Sequence, residues 1–480
     1  MSDIGIVSYG VYIPRYRISR KTISEAMGWL SPGALPGEKA VSNYDEDSLT
    51  MAVAAGMDCL KGTDLVNIDG VYFATTTFPY LERESAAIIT TALDLRSDIR
   101  TADFANSLKS WTTAVLSACD SIRAQGVDNM LVCASDCRLS KPGSPQEMIF
   151  GNGAAAVLLA RNGVIASLEG SYSVSYDFPD YRRAEHDEFV RAVEERFIRE
   201  EGYTKFIPEA ISGLLKNYKL EAKHFAKVAY PCLNLREYAA IGRRLGFEPS
   251  QMQEPLLTAV GELGTASPSI LLVAMLEEAK PGDNILLVSY GNGAEALFFK
   301  VTEEIERVRD RGRLKKYLAS KKELASYEKY LAFRGVLPVE VGGEDVATTQ
   351  LPLTWRERKA VLALNGSRCR RCGTPQYPPQ RICVNPDCGA VDEMENYRFS
   401  DKKGTLFSYT EDHTAASINP PLFYGMVDFD GGGRFVFELT DCESGSLKVG
   451  MPVEMSFRRK YVDKLRGIYG YVWKAMPVRL

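Results

Sequence analysis

Short apolar runs alternate with longer amphipathic stretches through roughly the first 300 residues, the pattern of strands and helices laid down in turn. Gly5–Tyr12 predicts a strand, and Asp47–Leu60 an amphipathic helix capped by Asp47 or Ser48. Gly70–Thr75 predicts a second strand, Glu84–Leu93 and Ser110–Gln125 predict helices, and Asn129–Ala134 predicts a buried strand. Such alternation predicts α/β layers. Residues 302–333 are charged and helical in character and close this large domain. Glycine and proline then concentrate, with Gly342-Gly343, Pro338 and Pro352 among few bulky apolar residues, as in a linker. Trp355–Leu364 predicts a helix leading into a cysteine cluster. Beyond it, Gly404–Thr410, Phe423–Asp428, Arg434–Leu439 and Pro452–Tyr461 predict short strands between turns such as Asp430-Gly-Gly-Gly433, hence a small barrel. The expected division is 1–335, a linker at 336–354, a leading helix with the cysteine module at 355–395, and the barrel at 396–480.

An internal echo strengthens the α/β reading. Asn129-Met-Leu-Val-Cys-Ala-Ser-Asp136 leads into Gly151-Asn-Gly-Ala-Ala-Ala-Val-Leu-Leu-Ala160, and Asn284-Ile-Leu-Leu-Val-Ser-Tyr290 leads into Gly291-Asn-Gly-Ala-Glu-Ala-Leu-Phe-Phe299. Each copy is an apolar strand, a Gly-Asn-Gly-Ala turn and a second strand. A duplicated unit is expected, each glycine pair making a tight entry to a central strand.

The cysteines change the picture most. Cys369-Arg-Arg-Cys372-Gly373 and Cys383-Val-Asn-Pro-Asp-Cys388-Gly389 form two close pairs, each followed by glycine. Such spacing turns both sulfurs of a pair toward one ion, and the glycine lets the backbone fold back to donate hydrogen bonds to sulfur. Four thiolates suit tetrahedral zinc, as they also suit iron, and leave no open coordination position for catalysis. A structural zinc ribbon at 369–388 is the expectation. The other cysteines (59, 119, 133, 137, 232 and 442) show no disulfide-like spacing.

Composition excludes several classes. A net charge of −4 over 480 residues gives no global attraction to nucleic acid or anionic lipid. The barrel segment has Tyr409, Phe423 and Tyr424 beside Arg458, Arg459 and Lys460, but no dense basic stripe, so nucleic acid is not the expected partner. No apolar run reaches the roughly 20 residues needed to span a bilayer. Met1–Gly5 lacks the basic and apolar regions of a signal peptide, and a cytoplasmic protein is expected.

Residues 1 to about 335 resemble the 3-hydroxy-3-methylglutaryl-CoA synthase branch of the thiolase superfamily. The resemblance rests on Ile4–Pro14, Asp45-Glu-Asp-Ser48, Gly151-Asn-Gly-Ala154, Lys280-Pro-Gly-Asp283, Ser289-Tyr-Gly-Asn-Gly293 and Tyr327–Gly335. Residues from about 350 to 480 resemble the zinc-ribbon and OB-fold module called DUF35, which accompanies thiolase-like subunits. The resemblance implies a duplicated five-layer αβαβα domain, a homodimer through it, and a CoA thioester as substrate or ligand. A thiolase-family partner is a further candidate on the same ground. The resemblance also implies where the chemistry sits. The family's acylated cysteine falls on Leu108, its acid/base glutamate on Thr76, and its histidine on Pro231, while Gly261-Glu-Leu263 stands where relatives carry Gly-Asn-Thr. Leucine forms no thioester, so an acyl-enzyme at that position is excluded.

Two functions are compatible with those losses. The first is an aldol or retro-aldol lyase on acyl-CoA, which needs a base and enolate stabilisation but no covalent intermediate. Its catalytic candidates are Glu262, Tyr290 and Tyr80, with Tyr230 also in a pocket segment. Glu262 stands out as a carboxyl in place of an amide, which burial would make more basic; the alternative is an exposed or salt-bridged glutamate. Cys232 is the candidate for a relocated nucleophile, as a true synthase or thiolase would require. The resemblance implies substrate binding by Asn106, Tyr230, Asn234, Arg236 and Asn292. The second function is a non-catalytic scaffold or partner subunit for a thiolase or synthase complex.

Overall fold

The computed structural model describes residues 4–30, 35–342 and 350–479. It divides into two compact units. The first comprises residues up to 43, 47–87 and 98–330, and the second comprises Tyr44–Glu46, Ile88–Ser97 and Leu331–Leu480. Residues 343–349 of the expected linker lie outside the described residues.

The first unit is built on one sheet of nine strands: β1 Gly5–Tyr12, β2 Gly70–Ala74, β3 Arg100–Phe104, β4 Met130–Asp136, β5 Gly153–Ala160, β6 Ala166–Ser175, β7 Lys227–Ala229, β8 Asn284–Tyr290 and β9 Gly293–Val301. Their order across the sheet is β7-β8-β9-β6-β1-β5-β4-β2-β3. Among the described residues a short stretch joins β1 to β6, with Gly5 paired to Ser167 and Ile6 to Ala166, so the sheet is two half-sheets meeting at a short seam. The helices α1 Ser48–Cys59, α2 Ser110–Arg123, α3 Thr204–Tyr218 and α4 Ala266–Glu278 complete the layers. The α1 helix packs on β1, β5 and β4, and α3 on β6, β9 and β8. Both α2 and α4 touch strands of each half-sheet and one another, so they form the middle layer. That accounts for α4, in which every residue from Ala266 to Leu276 is buried; a helix apolar all round is a buried one.

Strand periodicity sorts side chains between layers. On β8, Ile285 and Leu287 join the middle-layer core with Trp111, Ala114 and Ile270. Leu286, Val288 and Tyr290 face the other way, into a core with Phe206, Ile207 and Ile211 of α3. The sequence echo is real in three dimensions. β4 pairs antiparallel with β5, and β8 with β9, the second pair closing as a tight hairpin through Gly291-Asn292. Asp47 caps α1 with a reciprocal capping box to Thr50, as its position predicts.

The second unit contains a three-stranded ribbon sheet of Asn365–Cys369 flanked by Pro375–Gln376 and Met394–Arg398. A closed five-stranded barrel follows, of Lys403–Asp412, Leu422–Phe429, Arg434–Leu439, Pro452–Asp463 and Ile468–Pro477. Four of these strands are legible as alternating runs. The fifth, Ile468–Pro477, is not, because its apolar side chains are interrupted by Lys474. Phe399 packs against Tyr377, Tyr397, Phe429 and Phe435, an aromatic cluster that ties ribbon to barrel. The single helix expected over Trp355–Leu364 is instead two short ones, Leu351–Arg356 with Pro352 in its first turn, and Arg358–Ala363, ended by Leu364 at φ +52°.

The second unit also holds a buried ion network. Arg458 pairs with Asp45 at 3.1 Å, Glu46 at 2.8 Å and Asp441 at 2.9 Å, and Lys474 pairs with Asp45 and Glu438. The Arg458, Asp45 and Glu46 side chains are at most 2% exposed. Removing one partner from such a network leaves uncompensated buried charge, at a cost of about 3–5 kcal/mol. Arg458→Met is therefore expected to lower the melting temperature of this unit by roughly 10 °C. An unchanged melting curve in differential scanning calorimetry would contradict it.

Candidate functional site

Leu108, in the nucleophile's place, lies in the turn that enters α2. Asn106 opens that turn in the left-handed region at φ +66°, a conformation asparagine tolerates. The Ser107 hydroxyl donates to the Gly291 carbonyl at 3.0 Å. This seats the turn on the β8–β9 hairpin so tightly that a Cβ on Gly291 would lie 2.8 Å from the Leu108 amide nitrogen. Asn292 follows with φ +49°, its side chain donating to the Phe178 carbonyl at 3.4 Å. Neither the Leu108 N–H nor the Asn292 N–H has a hydrogen-bond partner among the described residues. Behind them Thr112 and Ser289 share a 2.7 Å hydroxyl contact, and Trp111 is fully buried in the middle-layer core.

Thr76, in the place of the acid/base glutamate, is committed elsewhere. Its N–H and hydroxyl both donate to one carboxylate oxygen of Asp136, at 2.8 and 3.0 Å. Thr75 and Thr77 donate to the same oxygen, and the N–H and hydroxyl of Thr265 donate to the other. Asp136 is fully buried, and these donors compensate its carboxylate where water cannot reach. It ties two loops together and offers no free lone pair to a substrate. Pro231, in the histidine's place, is buried with its carbonyl accepting from the Tyr203 hydroxyl at 2.7 Å.

Glu262 is buried, but not alone. Its Oε2 accepts from Arg138 at 2.8 Å, and its Oε1 from the Gly264 N–H at 2.9 Å and the Ser267 hydroxyl at 3.1 Å. The sequence left open a carboxyl made basic by burial and a salt-bridged one; the structure gives a buried ion pair. Glu262 and Cys232 line one cavity of about 10 Å³ with Pro231, Val260 and Ser267, room for about one water. The Cys232 thiol is pushed up to about 12 by burial, which keeps it protonated at neutral pH and a poor nucleophile.

Ile149, hydrogen-bonded to Glu262, lines a larger cavity. Its carbonyl accepts from the Glu262 N–H at 2.8 Å, and the cavity measures about 270 Å³. The walls are largely apolar, from Ile23, Met27, Met148 and Leu233, with Ser144, Glu147, Glu195 and Asn234 as polar points and no lysine or arginine among the described lining residues. Asn234 also caps the helix Leu235–Arg244 through its side-chain oxygen.

The remaining candidates lie elsewhere. Tyr290 faces the α3 layer, where its ring meets Tyr203 edge-on and its hydroxyl is buried near Asp180 with no hydrogen-bond partner among the described residues. Burial raises Asp180 above the usual carboxylate range, partly offset by the Tyr181 N–H it accepts. Tyr230 is fully buried and donates to the Tyr238 carbonyl at 2.5 Å, a core role. Tyr80 accepts from Arg83 at 2.7 Å beneath its guanidinium. Arg236 is exposed. The structure thus brings Glu262 and Cys232 to one cavity and sets the turn after Asn106 against the hairpin that carries Asn292. Tyr230 and Tyr290 lie in the α3-side core, beside Cys232 and Asp180 respectively, and Tyr80 lies away from them. Sequence reasoning missed Asp136 and Arg138. The available signal was their place, at and just beyond the end of an apolar strand where the first repeat unit turns.

In the second unit the four cysteine sulfurs lie within 4.8 Å of one another, with Cys369–Cys388 at 3.8 Å and Cys372–Cys383 at 3.5 Å. A tetrahedral ion with zinc–sulfur bonds near 2.3 Å sets its sulfurs roughly 3.8 Å apart. The residues present fit zinc. Gly373 and Gly389 both take positive φ, as their place after each pair predicts.

Known proteins bear on both units. A hydroxymethylglutaryl-CoA synthase of Methanopyrus kandleri is 31% identical over 336 residues, 68% of this chain and 96% of that protein. The chain belongs to the hydroxymethylglutaryl-CoA synthase family. The Pyrococcus furiosus member is 32% identical over 318 residues, 65% of this chain and 90% of its own length. Among solved structures, an HMG-CoA synthase complexed with CoA has the same fold, with a TM-score of 0.63 at 21% identity over 72% of this chain and 92% of that one. A single-substitution variant of Xanthomonas campestris OleA gives 0.57 at 18% identity, over 62% of this chain and 96% of its own. Residues 356–395 match the ChsH2 rubredoxin-like zinc ribbon domain, and 397–458 the ChsH2 C-terminal OB-fold domain. A synthase-family domain of the acyl-CoA condensing class is therefore fused to a zinc ribbon and an OB-fold barrel. Among the described residues no helix is long and apolar enough to cross a membrane.

Proposed function

We propose that the chain makes or breaks a carbon–carbon bond of an acyl-CoA by an aldol or retro-aldol route, with no acyl-enzyme. The observation that carries this reading is the pair of uncommitted amides, Leu108 N–H and Asn292 N–H, retained around Gly291 where the nucleophile itself is leucine. Two such donors suit an oxygen that gains negative charge, as the thioester oxygen does when an enolate forms. In the cleavage direction a base takes the β-hydroxyl proton, and the electrons of the broken O–H bond close to a carbonyl. The C–C electron pair then passes to the α-carbon to give the thioester enolate. Protonation of the α-carbon releases a shorter acyl-CoA and a free carbonyl compound. Glu262 is the residue assigned as base, since the Thr76 hydroxyl is held by Asp136 and the Cys232 thiol is protonated.

The 270 Å³ cavity supports a CoA thioester as ligand. Apolar walls with isolated hydroxyl, carboxylate and amide groups, and no cation, suit the uncharged amide chain of a pantetheine arm. Synthase relatives share the first unit's length, and one solved neighbour binds CoA, which supports the same ligand here. A homodimer through the synthase-like unit and a cytoplasmic location are part of the reading.

A second reading is favoured by one observation: Leu108, Thr76 and Pro231 have all lost the family's side-chain chemistry together. On that reading the chain is a partner subunit for a thiolase-family enzyme. Incubation of the purified protein with a panel of 3-hydroxyacyl-CoA and 3-oxoacyl-CoA thioesters, with products identified by mass spectrometry, separates the two. A carbonyl product with acetyl- or propionyl-CoA is expected. Tight CoA binding without turnover would move the assignment to the partner subunit, and an acyl adduct on Cys232 would restore a covalent route.

A further inference from the structure

We propose that Arg138 is the positioning residue of this site, fixing the Glu262 side chain at the wall of the small cavity it shares with Cys232. The proposal rests on the reading of Glu262 as the base. Three features carry it. The Arg138–Glu262 contact is 2.8 Å long, with the two side chains 3% and 2% exposed. The guanidinium is itself clamped, 3.9 Å from the Phe150 ring centre and 5.1 Å from that of Tyr181, so its planar fork has little freedom. Finally, Gly264 N–H and the Ser267 hydroxyl occupy Oε1, which leaves Oε2 as the oxygen that Arg138 directs.

Stability does not account for this arrangement. A buried pair gains little over two apolar side chains of the same volume, and it becomes costly once either partner is lost. A buried carboxylate, cut off from bulk water, needs a fixed partner, and Arg138 supplies it from the chain segment just beyond β4. The other groups facing the pair are the Tyr181 hydroxyl, the Cys232 thiol and the Asp180 carboxyl. Burial keeps the Tyr181 and Cys232 protons on well above neutral pH, so neither competes for the guanidinium. Asp180 lies within electrostatic reach of Arg138 and is the one acidic competitor among these groups.

The test is carbon-13 NMR of the full chain labelled at glutamate carboxyls, recorded at one neutral pH, with Glu262→Gln identifying the resonance by its loss. In Arg138→Met the Glu262 carboxyl line is expected to move and broaden as the side chain loses its fixed position. Arg138→Lys keeps a cation but not the fork, and a smaller displacement is expected; this variant decides the matter if Arg138→Met does not fold. A folded variant of either kind with the native line would overturn the proposal. Absence of turnover on every CoA thioester would remove Glu262 as base and leave this spectrum readable, so the two failures are distinguishable.

Discussion

Glu262→Gln is expected to lower turnover of a 3-hydroxyacyl-CoA by about 10²- to 10⁴-fold, the range for losing a general base. Glutamine keeps an acceptor for Gly264 N–H and Ser267 but removes the charge that Arg138 faces. The substitution therefore tests charge more than shape. It also strands a buried guanidinium, so the variant's fold must be checked by circular dichroism. Glu262→Asp serves as control, because it keeps the charge while withdrawing it from the cavity, and an intermediate rate is expected. An unchanged rate in folded Glu262→Gln would strike that residue from the mechanism.

The second large effect is on the ribbon. Its buried apolar side chains are few, Cys369, Cys383 and Ala390 with little around them. A module of that size depends on metal for its fold, and structural zinc supplies roughly 10–16 kcal/mol in isolated fingers. Cys383→Ser is expected to lose the metal, measured as zinc per chain by inductively coupled plasma mass spectrometry, and with it amide protection over 365–398. The first unit, which has its own hydrophobic core, should keep its protection. One zinc per native chain is expected. Full protection of the ribbon after chelation would show that the four thiols serve another purpose.

What could be read from the sequence, and what could not, follows physical lines. Strands buried on both faces, such as β1, β4 and β8, show as apolar runs bounded by glycine or asparagine, and the repeated Gly-Asn-Gly turn fixes the duplication. The zinc site was legible because thiolate spacing and following glycines are local. The candidate site was legible only as departures from the chemistry the family resemblance implies, at Leu108, Thr76 and Pro231. Its positive content depends on partners remote in the chain: Arg138 with Glu262, Asp136 with Thr265, Leu108 with Gly291. Burial of Glu262 was foreseeable from its apolar neighbours, whereas its counter-ion 124 positions earlier was not. Tyr290 and Tyr230 drew attention as hydroxyls in pocket segments, but strand alternation turns Tyr290 toward α3, and the Tyr238 carbonyl takes the Tyr230 hydrogen bond.

Chemistry without an acyl-enzyme is the claim on which the rest depends. Rapid-quench intact-mass spectrometry during incubation with a 3-hydroxyacyl-CoA tests it most directly. An unmodified protein mass is expected at every time point while a carbonyl compound and a shorter acyl-CoA accumulate. A transient acyl adduct on the protein, at Cys232 or any other residue, would contradict it.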